Sequence, residues 1–422
     1  MPWTKHCALS SADARSRRPT PRTKRRALSS ADARDVPRQA RAARPARARG
    51  DRRSGPRARP PEQWPRTGPT RRLPAMVSFE IRAAVTGDEE QLLYVARHLN
   101  SVNLPNNRDA IHEIVAESHR SFNGAIQDPR LRQYVFVLVD LTKGDKGMIV
   151  GTSMIIAQLG RRGVPYIFFD VLDEEKYSAT IDKHFHHTVL RIGYSYNGPT
   201  EIGGLVLMPE YRQGPERLGT MISYVRFLYM AARSALFQDE ILAELMPPLE
   251  PDGTSHLWEA LGRKFTDMSY ADADLLSKKN KEFIKGLFPE GTIYASLLPE
   301  DAQRVIGKVG AQTRGVEKLL RRVGFRYAHR VDPFDGGPHF TARMDEISLV
   351  SDTRRAKAGR PFTPSPSDPK GILAIERPDA PYFRAVAASL RDEGELGMAI
   401  AVDAWKHLEL QPRSPIWVLP MP

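Results

Sequence analysis

The chain has 422 residues, 41% of them hydrophobic, and a formal net charge of +13; that length allows two or three domains and a large core. The charge does not make the body a nucleic-acid binder, because residues 1–75 hold 21 Lys and Arg against 5 Asp and Glu, a net of +16, which leaves −3 for the rest. The single cysteine, Cys7, lies in that first segment, so the body has no disulfide, thiolate metal site or cysteine nucleophile.

Residues 1–75 contain 11 Pro and almost no large apolar side chains, and they repeat ALSSADAR at 8–15 and 27–34. Such a stretch cannot bury enough surface to offset its chain entropy, so disorder is expected. Three readings fit it: an Arg-rich targeting peptide, although those are usually poorer in acids and prolines; an arm for nucleic acid or a membrane surface; or a stretch outside the working protein, with translation starting at Met76. The third is preferred, since Met76 stands just ahead of the first patterned strand. No apolar run approaches the roughly 20 residues that span a bilayer, and a cytoplasmic protein is the default expectation.

The body opens with a short strand, Phe79 to Arg82. Thr86 and Glu89 then have capping-box spacing ahead of an apolar-periodic helix. A second helix is predicted from Arg108 to Phe122. Tyr134–Asp140 and Met148–Leu159 flank a Gly-rich turn and predict a hairpin, and Tyr166 to Leu172 is a further strand. His184, His186 and His187 form an HFHH cluster; with no carboxylate set at metal-ligand spacing beside it, a solvated loop is the preferred reading over a metal site. Asp173, Glu174 and Glu175 read as a solvated face, the alternative being carboxylates for a cationic substrate.

The centre of the body is Glu201 to Ala232. Ile202–Leu207 reads as a buried strand. Pro209 opens a loop, and a helix follows with Leu218, Met221, Ile222, Val225, Leu228, Tyr229 and Ala232 on one face. Pro215 suits the first helical position, with Gly214 ahead of it as a cap. A helix N-terminus flanked by Arg212, Gly214, Arg217 and Gly219 can hold a phosphate, although many such turns bind nothing. Downstream, Ile241–Met246 is a strand, and Ser255–Phe265 a helix capped by Thr254 or Ser255 that ends near Gly262. A second helix-to-Gly step follows at Leu319–Tyr327, then strand Ala328–Val331 and the turn Asp335-Gly336-Gly337-Pro338. Residues 351–370 read as a linker. Four short strands after it (372–375, 385–390, 398–402, 416–419) predict a small β-rich module.

This order of strand, two helices, hairpin, strand and P-x-x-R-x-G loop opening a helix resembles the GNAT type of acyl-CoA N-acyltransferase. Longer stretches narrow the resemblance: Tyr134 to Leu138, Glu201 to Arg212, Ser223 to Ala231 (SYVRFLYMA), Leu261 to Met268, Val305 to Val309 with Gln312-Thr313, and Gly324 to Tyr327 through Phe334 to Pro338. Together these resemble the arginine N-succinyltransferase family over about residues 78–350, and more faintly beyond. The resemblance implies transfer of succinyl from succinyl-CoA, as co-substrate, to the α-amine of L-arginine, in a route degrading arginine to glutamate, with no metal. It implies that Leu205, with Val206 and Leu207, lines the acyl group, and that Arg212, Gly214, Arg217 and Gly219 hold the pyrophosphate. The family's proton-donor histidine falls on Gly310, which moves no proton. The loop is also longer than the family's, with Pro215 lacking an N–H and Glu216 adding negative charge.

An amine attacks a thioester only when deprotonated, so the site needs a base and donors for the oxyanion. Glu201, directly before the central strand, is the preferred base, acting through water, beside the alternative of a strand-end charge. His256 and His339 are expected at caps or on the surface, and Asp335 in turn chemistry rather than on a guanidinium. Trp258 and the SYVRFLYMA aromatics are expected in the core. The expected fold is α/β, of α+β type. It comprises a GNAT-like acyl-CoA-binding unit at 76–265, a second partial unit at 266–350, a linker at 351–370, a β-rich module at 371–422 and a disordered tail at 1–75. Homo- or hetero-oligomers both fit. The rivals are an enzyme of this fold with another acyl-CoA or amine, a non-catalytic CoA-binding relative, and a nucleic-acid role resting on the tail alone.

Overall fold

The computed structural model describes residues 76–97 and 104–421, and the expectations for the basic tail, Cys7 included, lie outside them. Fifteen strands follow in chain order: β1 (Phe79–Ala83), β2 (Gln133–Asp140), β3 (Met148–Ile156), β4 (Tyr166–Ser178), β5 (Lys183–Ser195), β6 (Thr200–Leu207), β7 (Glu240–Glu244), β8 (Ile293–Tyr294), β9 (Arg326–Val331), β10 (Pro338–Arg343), β11 (Arg354–Phe362), β12 (Lys370–Glu376), β13 (Phe383–Asp392), β14 (Met398–Ala401) and β15 (Pro415–Pro420). The helices are α1 (Glu89–Ala96), α2 (Arg108–Phe122), α3 (Leu218–Ala232), α4 (Arg263–Thr266), α5 (Tyr270–Ser277), α6 (Glu282–Leu287), α7 (Glu300–Val305), α8 (Arg314–Arg322), α9 (Ser348–Ser351) and α10 (Val402–His407).

The strands hydrogen-bond in the order β12-β15-β11-β14-β13-β1-β2-β3-β6-β7-β10-β9-β4-β5-β8, and a β12–β13 pairing closes the last five strands of the chain into a barrel. Among the described residues, each neighbouring pair is antiparallel except β11–β14 and β6–β7. The β6–β7 pair spans only two registers, Thr200 with Ile241 and Glu201 with Leu242. Beyond them β6 runs on to Leu207 beside β3 alone. A parallel pair that stops this early leaves the facing edges of both strands with ladder groups to satisfy elsewhere.

Helix α3 covers this part of the sheet through Leu218, Met221, Ile222, Val225, Leu228 and Tyr229, all in the main core. A second core surrounds Trp258, whose ring stacks on Phe334 at 5.0 Å and whose indole N–H donates to Met268 O at 2.9 Å. The aromatics of SYVRFLYMA and Trp258 are buried.

Several expectations are corrected. Residue 265 does not divide the sheet, because the β4–β5 hairpin before it pairs with β9 and β8 after it. The linker is a strand: β11 pairs with β14 and β15, and its charged side chains face outward from the barrel wall. The capping box does not form. Asp88 stands at the N-cap of α1, with its carboxylate on the Arg82 guanidinium and the Val85 N–H, and Glu89 reaches back to Gly87 N. The helix after Ser255 runs past Gly262 to Thr266 through a π-turn at Trp258–Gly262. Gly262 is needed there for space, since a Cβ would lie 2.3 Å from the Trp258 ring. The HFHH cluster is strand β5 of an exposed ribbon, with His184 on Glu175 at 2.7 Å and His186 on Asp173 at 3.6 Å.

The barrel is fastened to β1 by a buried ion cluster. Arg384 donates to the Glu80 carboxylate, and His407 Nε2 lies 2.9 Å from Glu80 Oε2. Burial alone would raise the Glu80 carboxyl, but the His407 and Arg384 bonds outweigh it and hold it below its ordinary 4.5. A depressed carboxylate stabilises the fold above its unfolded-state pKa, and the contribution is lost as pH falls through the folded value. Glu80→Gln is therefore expected to cost about 3 kcal/mol at pH 7 by stranding Arg384. In thermal melts, the gap between variant and wild type should narrow as pH drops below 4.5.

Candidate active site

The loop between β6 and α3 is tied down at both ends. Arg212 Nε donates to Leu207 O at 2.9 Å, and the Tyr211 hydroxyl donates to Asp140 Oδ2 at 2.9 Å. The helix starts at Leu218 rather than Pro215, because Pro215 and Glu216 form a turn and Arg217 takes the N-cap with φ +54°. No side chain caps α3 and its first turn holds no acid. Thr220 N–H turns back to Arg217 O at 2.9 Å, which leaves the Leu218 and Gly219 N–H groups for an anion, and a helix N-terminus favours one. Nothing but Leu207 Cδ2, at 3.6 Å, approaches the space above Gly219. Glu216 folds over Gly214, its Oε2 2.6 Å from where a Cβ would stand.

In β6 the register against β3 slips between Gly203 and Val206, and Gly204 has φ +54°. This bulge turns backbone groups of 203–205 out of the ladder beside the gap left by β7. Beneath it lies Arg226 of α3, 2% exposed, with its guanidinium on Ser223 O, Ser223 Oγ and Gly203 O. Burial brings its pKa down to about 9, so it stays charged at neutral pH.

Across the gap, Glu244 ends β7. Glu201, Leu242 and Glu244 share one face of the pair by register, and His339 of β10 is the direct cross-strand partner of Glu244. His339 is fully buried, not at a cap or on the surface as its sequence position suggests. Its Nδ1 is 2.9 Å from the Tyr166 hydroxyl; its Nε2 has no hydrogen-bond partner and lies 3.5 Å from Glu244 Oε1. The Tyr166 hydroxyl and Nδ1 are within hydrogen-bond reach, and which of the two donates follows the imidazole tautomer. Burial first, then the Arg330 and Lys281 charges, push the His339 pKa down to about 3, so the ring is neutral.

Glu244 keeps 34% of its side-chain surface accessible, so it faces an open crevice. Burial of the carboxyl against the protein first, then the charges of Glu201, Asp332 and Asp335, raise it well above the ordinary range, against the pull of Lys281. Asp335 and Asp274 are raised too, first by burial and then by Asp332, Asp274 to about 6. Asp335 Oδ1 accepts the Gly337 N–H at 2.7 Å, the turn chemistry expected of it, while the Tyr270 hydroxyl reaches Oδ2 at 3.5 Å. Glu244, Asp332 and His339 each bring one donor atom within 4.8 Å of the others.

Gly310 closes the far end of β7. Its N–H and the Thr313 hydroxyl both donate to Met246 O, at 2.9 and 3.0 Å, and a Cβ at 310 would lie 2.6 Å from Pro247 O. Of the residues singled out in the sequence, Glu201 and Asp335 join the crevice. His256 pairs with Glu250 at 2.9 Å on the surface, and the 173–175 run stays on the exposed ribbon. Sequence reasoning missed Glu244, Asp332, Asp274 and Arg226. Glu244 was legible as a lone acid in a buried strand, and Arg226 as a lone cation in an apolar helix. Two surface hollows of about 340 and 390 Å³ lie elsewhere, the second between Tyr134, Arg233 and Glu376.

Comparison with known proteins matches residues 79–349 to the family described as arginine N-succinyltransferase beta subunit, and residues 354–420 to the C-terminal domain of the same family. The arginine N-succinyltransferase subunit beta of Pseudomonas aeruginosa is 31% identical over 277 residues, 65% of this chain and 79% of that one. An arginine N-succinyltransferase of Salmonella paratyphi B is 30% identical over 285 residues, 67% of this chain and 80% of that one. The solved structure of arginine/ornithine succinyltransferase subunit AI from P. aeruginosa superposes with a TM-score of 0.69 at 24% identity, covering 82% of this chain and 99% of that chain, and shares the fold.

Because Gly310 abuts backbone and not a movable side chain, restoring a histidine there should displace the end of β7. Gly310→His and Gly310→Ala are each expected to lose about 1–3 kcal/mol of stability, read as denaturant midpoints. A histidine variant as stable as wild type would contradict this packing.

Proposed function

The chain belongs to the arginine N-succinyltransferase family, a family of acyltransferases, and on that premise we propose that it transfers the succinyl group of succinyl-CoA to the α-amine of arginine. The observation that carries the acceptor is the crevice at the mouth of the β6–β7 gap. There Glu201, Glu244, Asp332, Asp335 and Asp274 gather, with Lys281 and Lys278 as the cations beside them. Arginine brings two cationic groups and one carboxylate, the complement of that set. Glu201 and Glu244, on the strands that flank the gap, face the amine that must attack. Asp332, Asp335 and Asp274, grouped away from Glu201, suit the guanidinium.

The thioester lies along β6 at Leu205, Val206 and Leu207, where the bulge turns backbone N–H groups outward as donors for the tetrahedral oxyanion. Arg226 on the Gly203 carbonyl polarises the adjoining peptide toward that charge. The pyrophosphate of CoA sits over the α3 N-terminus, held by the N–H groups around Leu218 and Gly219, with Arg212, Gly214 and Arg217 beside them. The two halves of the sheet, β1-β2-β3-β6-β7 and β10-β9-β4-β5-β8, are read as tandem GNAT-like units that meet at β7–β10. The family's description as a beta subunit supports assembly with a second kind of chain. Among the described residues no helix is long and apolar enough to cross a membrane.

The full chain should release CoA thiol from succinyl-CoA only when arginine is present, with succinylarginine as the product by mass. Thiol release with another amine but not arginine would replace the acceptor. Binding of CoA without release to any amine would leave a non-catalytic relative. Arg217→Gly keeps the left-handed N-cap and removes the guanidinium; it is expected to raise the KM for succinyl-CoA about tenfold. Asp335→Asn keeps the Oδ1 bond of the turn and should raise the KM for arginine, leaving that for succinyl-CoA unchanged.

A further inference from the structure

We propose that Glu244 is the general base of the acyl transfer and that His339 is its positioning residue, the pair taking over the proton handling that the resembled family assigns to the position of Gly310. The inference rests on the acyl-transfer reading of this site and names the group that moves the proton.

The geometry is the first support. Gly310 packs on Met246 O and Pro247 O, so the surface a side chain at 310 would serve is the end of β7, two residues past Glu244. The chain has closed that position with backbone and kept an accessible carboxylate on the same strand. Glu201 is the rival base, but its side chain is 7% exposed and paired by register within the ladder, whereas Glu244 stands where the ladder has stopped.

The second support is the orphan ring nitrogen. His339 Nε2 is buried without a hydrogen-bond partner and faces Glu244 Oε1 at 3.5 Å. A buried ring nitrogen without a hydrogen-bond partner is costly and rare, and the Glu244 carboxylate stands beside this one. On the other side of the ring, Nδ1 meets the Tyr166 hydroxyl at 2.9 Å, which holds the imidazole in place. The groups facing Glu244 are Glu201 from β6, His339 from β10, Asp332 and Asp335 from the β9–β10 turn, and Lys281 ahead of α6. Burial and the three acids raise its carboxyl, which favours its taking up a proton.

One proton of the α-ammonium passes to Glu244. The nitrogen lone pair then forms the C–N bond to the thioester carbon, and the carbonyl becomes an oxyanion. As that intermediate collapses the C–S bond breaks and the nitrogen gives up a second proton. The departing thiolate takes up one proton, and the other leaves to solvent as Glu244 is restored. The thiolate is a good enough leaving group that no dedicated acid is required at position 310.

The test is kcat for the full chain from pH 6 to 10 in wild type, Glu244→Gln, Glu244→Asp and His339→Gln, with succinyl-CoA and arginine. Glu244→Gln is expected to lower kcat about 100-fold or more, with the KM for succinyl-CoA within twofold and the acid limb of the profile abolished. Glu244→Asp should restore part of the rate and the limb, and His339→Gln should move the limb with a smaller loss of rate. A Glu244→Gln enzyme with wild-type kcat and profile overturns the proposal. So does activity that EDTA removes and a divalent cation restores, since Glu244, Asp332 and His339 would then be metal ligands. If arginine is not turned over but another primary amine is, the same ratios on that amine decide the role of Glu244 while the acceptor reading falls. No turnover with any amine overturns both.

Discussion

The structure depends on a parallel strand pair that stops after two residues. Among the described residues β6–β7 is the one parallel pair of the central sheet, and it meets only at Thr200–Glu201 and Ile241–Leu242 before the strands part. Had they stayed paired, Gly203 to Leu205 and Glu244 would be sealed in a ladder, and the sheet would be an uninterrupted wall. Because they diverge, one strand edge offers backbone donors and the other a carboxylate. The gap between them is where two substrates can meet.

The surrounding packing holds that gap open. On the β6 side, Leu207 and Arg212 fasten the strand to the loop and α3 seals the far face with eleven buried residues, Arg226 among them. On the β7 side, five registers with β10 keep the strand straight to Glu244, and the Gly310–Thr313 turn grips Met246 O just beyond. Gly310 then has a structural meaning of its own. It lets the 310–313 turn come close enough to hold β7, an approach that any Cβ would forbid. The electrostatics follow from the same opening. Carboxylates on the two strands and the β9–β10 turn raise one another, and Lys281, with Lys278 beside Asp274, offsets them in part.

The sequence made the site's frame legible where periodicity and turn chemistry are local. Helix α2 runs over Arg108–Phe122 as its apolar spacing predicts, capped by Asn107 on Ala110 N, and the central strand covers Ile202–Leu207 as its apolar run predicts. Three things were not legible. The start of α3 moved to Leu218 because Pro215 and Glu216 spend themselves on a turn, and a left-handed Arg at an N-cap has no sequence signal. Strand β11 was hidden because a barrel wall exposed on one side leaves charged residues at alternate positions, which reads as a linker. His339 and Glu244 are ninety-five residues apart in sequence and meet only through β-pairing; nothing short of the sheet order places one opposite the other. The burial of His339 follows from that pairing, and position beside a turn predicted the opposite.

The most direct measurement of the account is amide hydrogen exchange on the full chain with and without saturating succinyl-CoA, since bound ligand slows exchange where it occupies backbone donors. The account predicts new protection in peptides covering Gly203–Leu207 of β6 and Leu218–Thr220 at the start of α3, with strands β12 and β15 of the barrel unchanged. Protection confined to the barrel, with β6 and the α3 N-terminus exchanging as in the free chain, would contradict it.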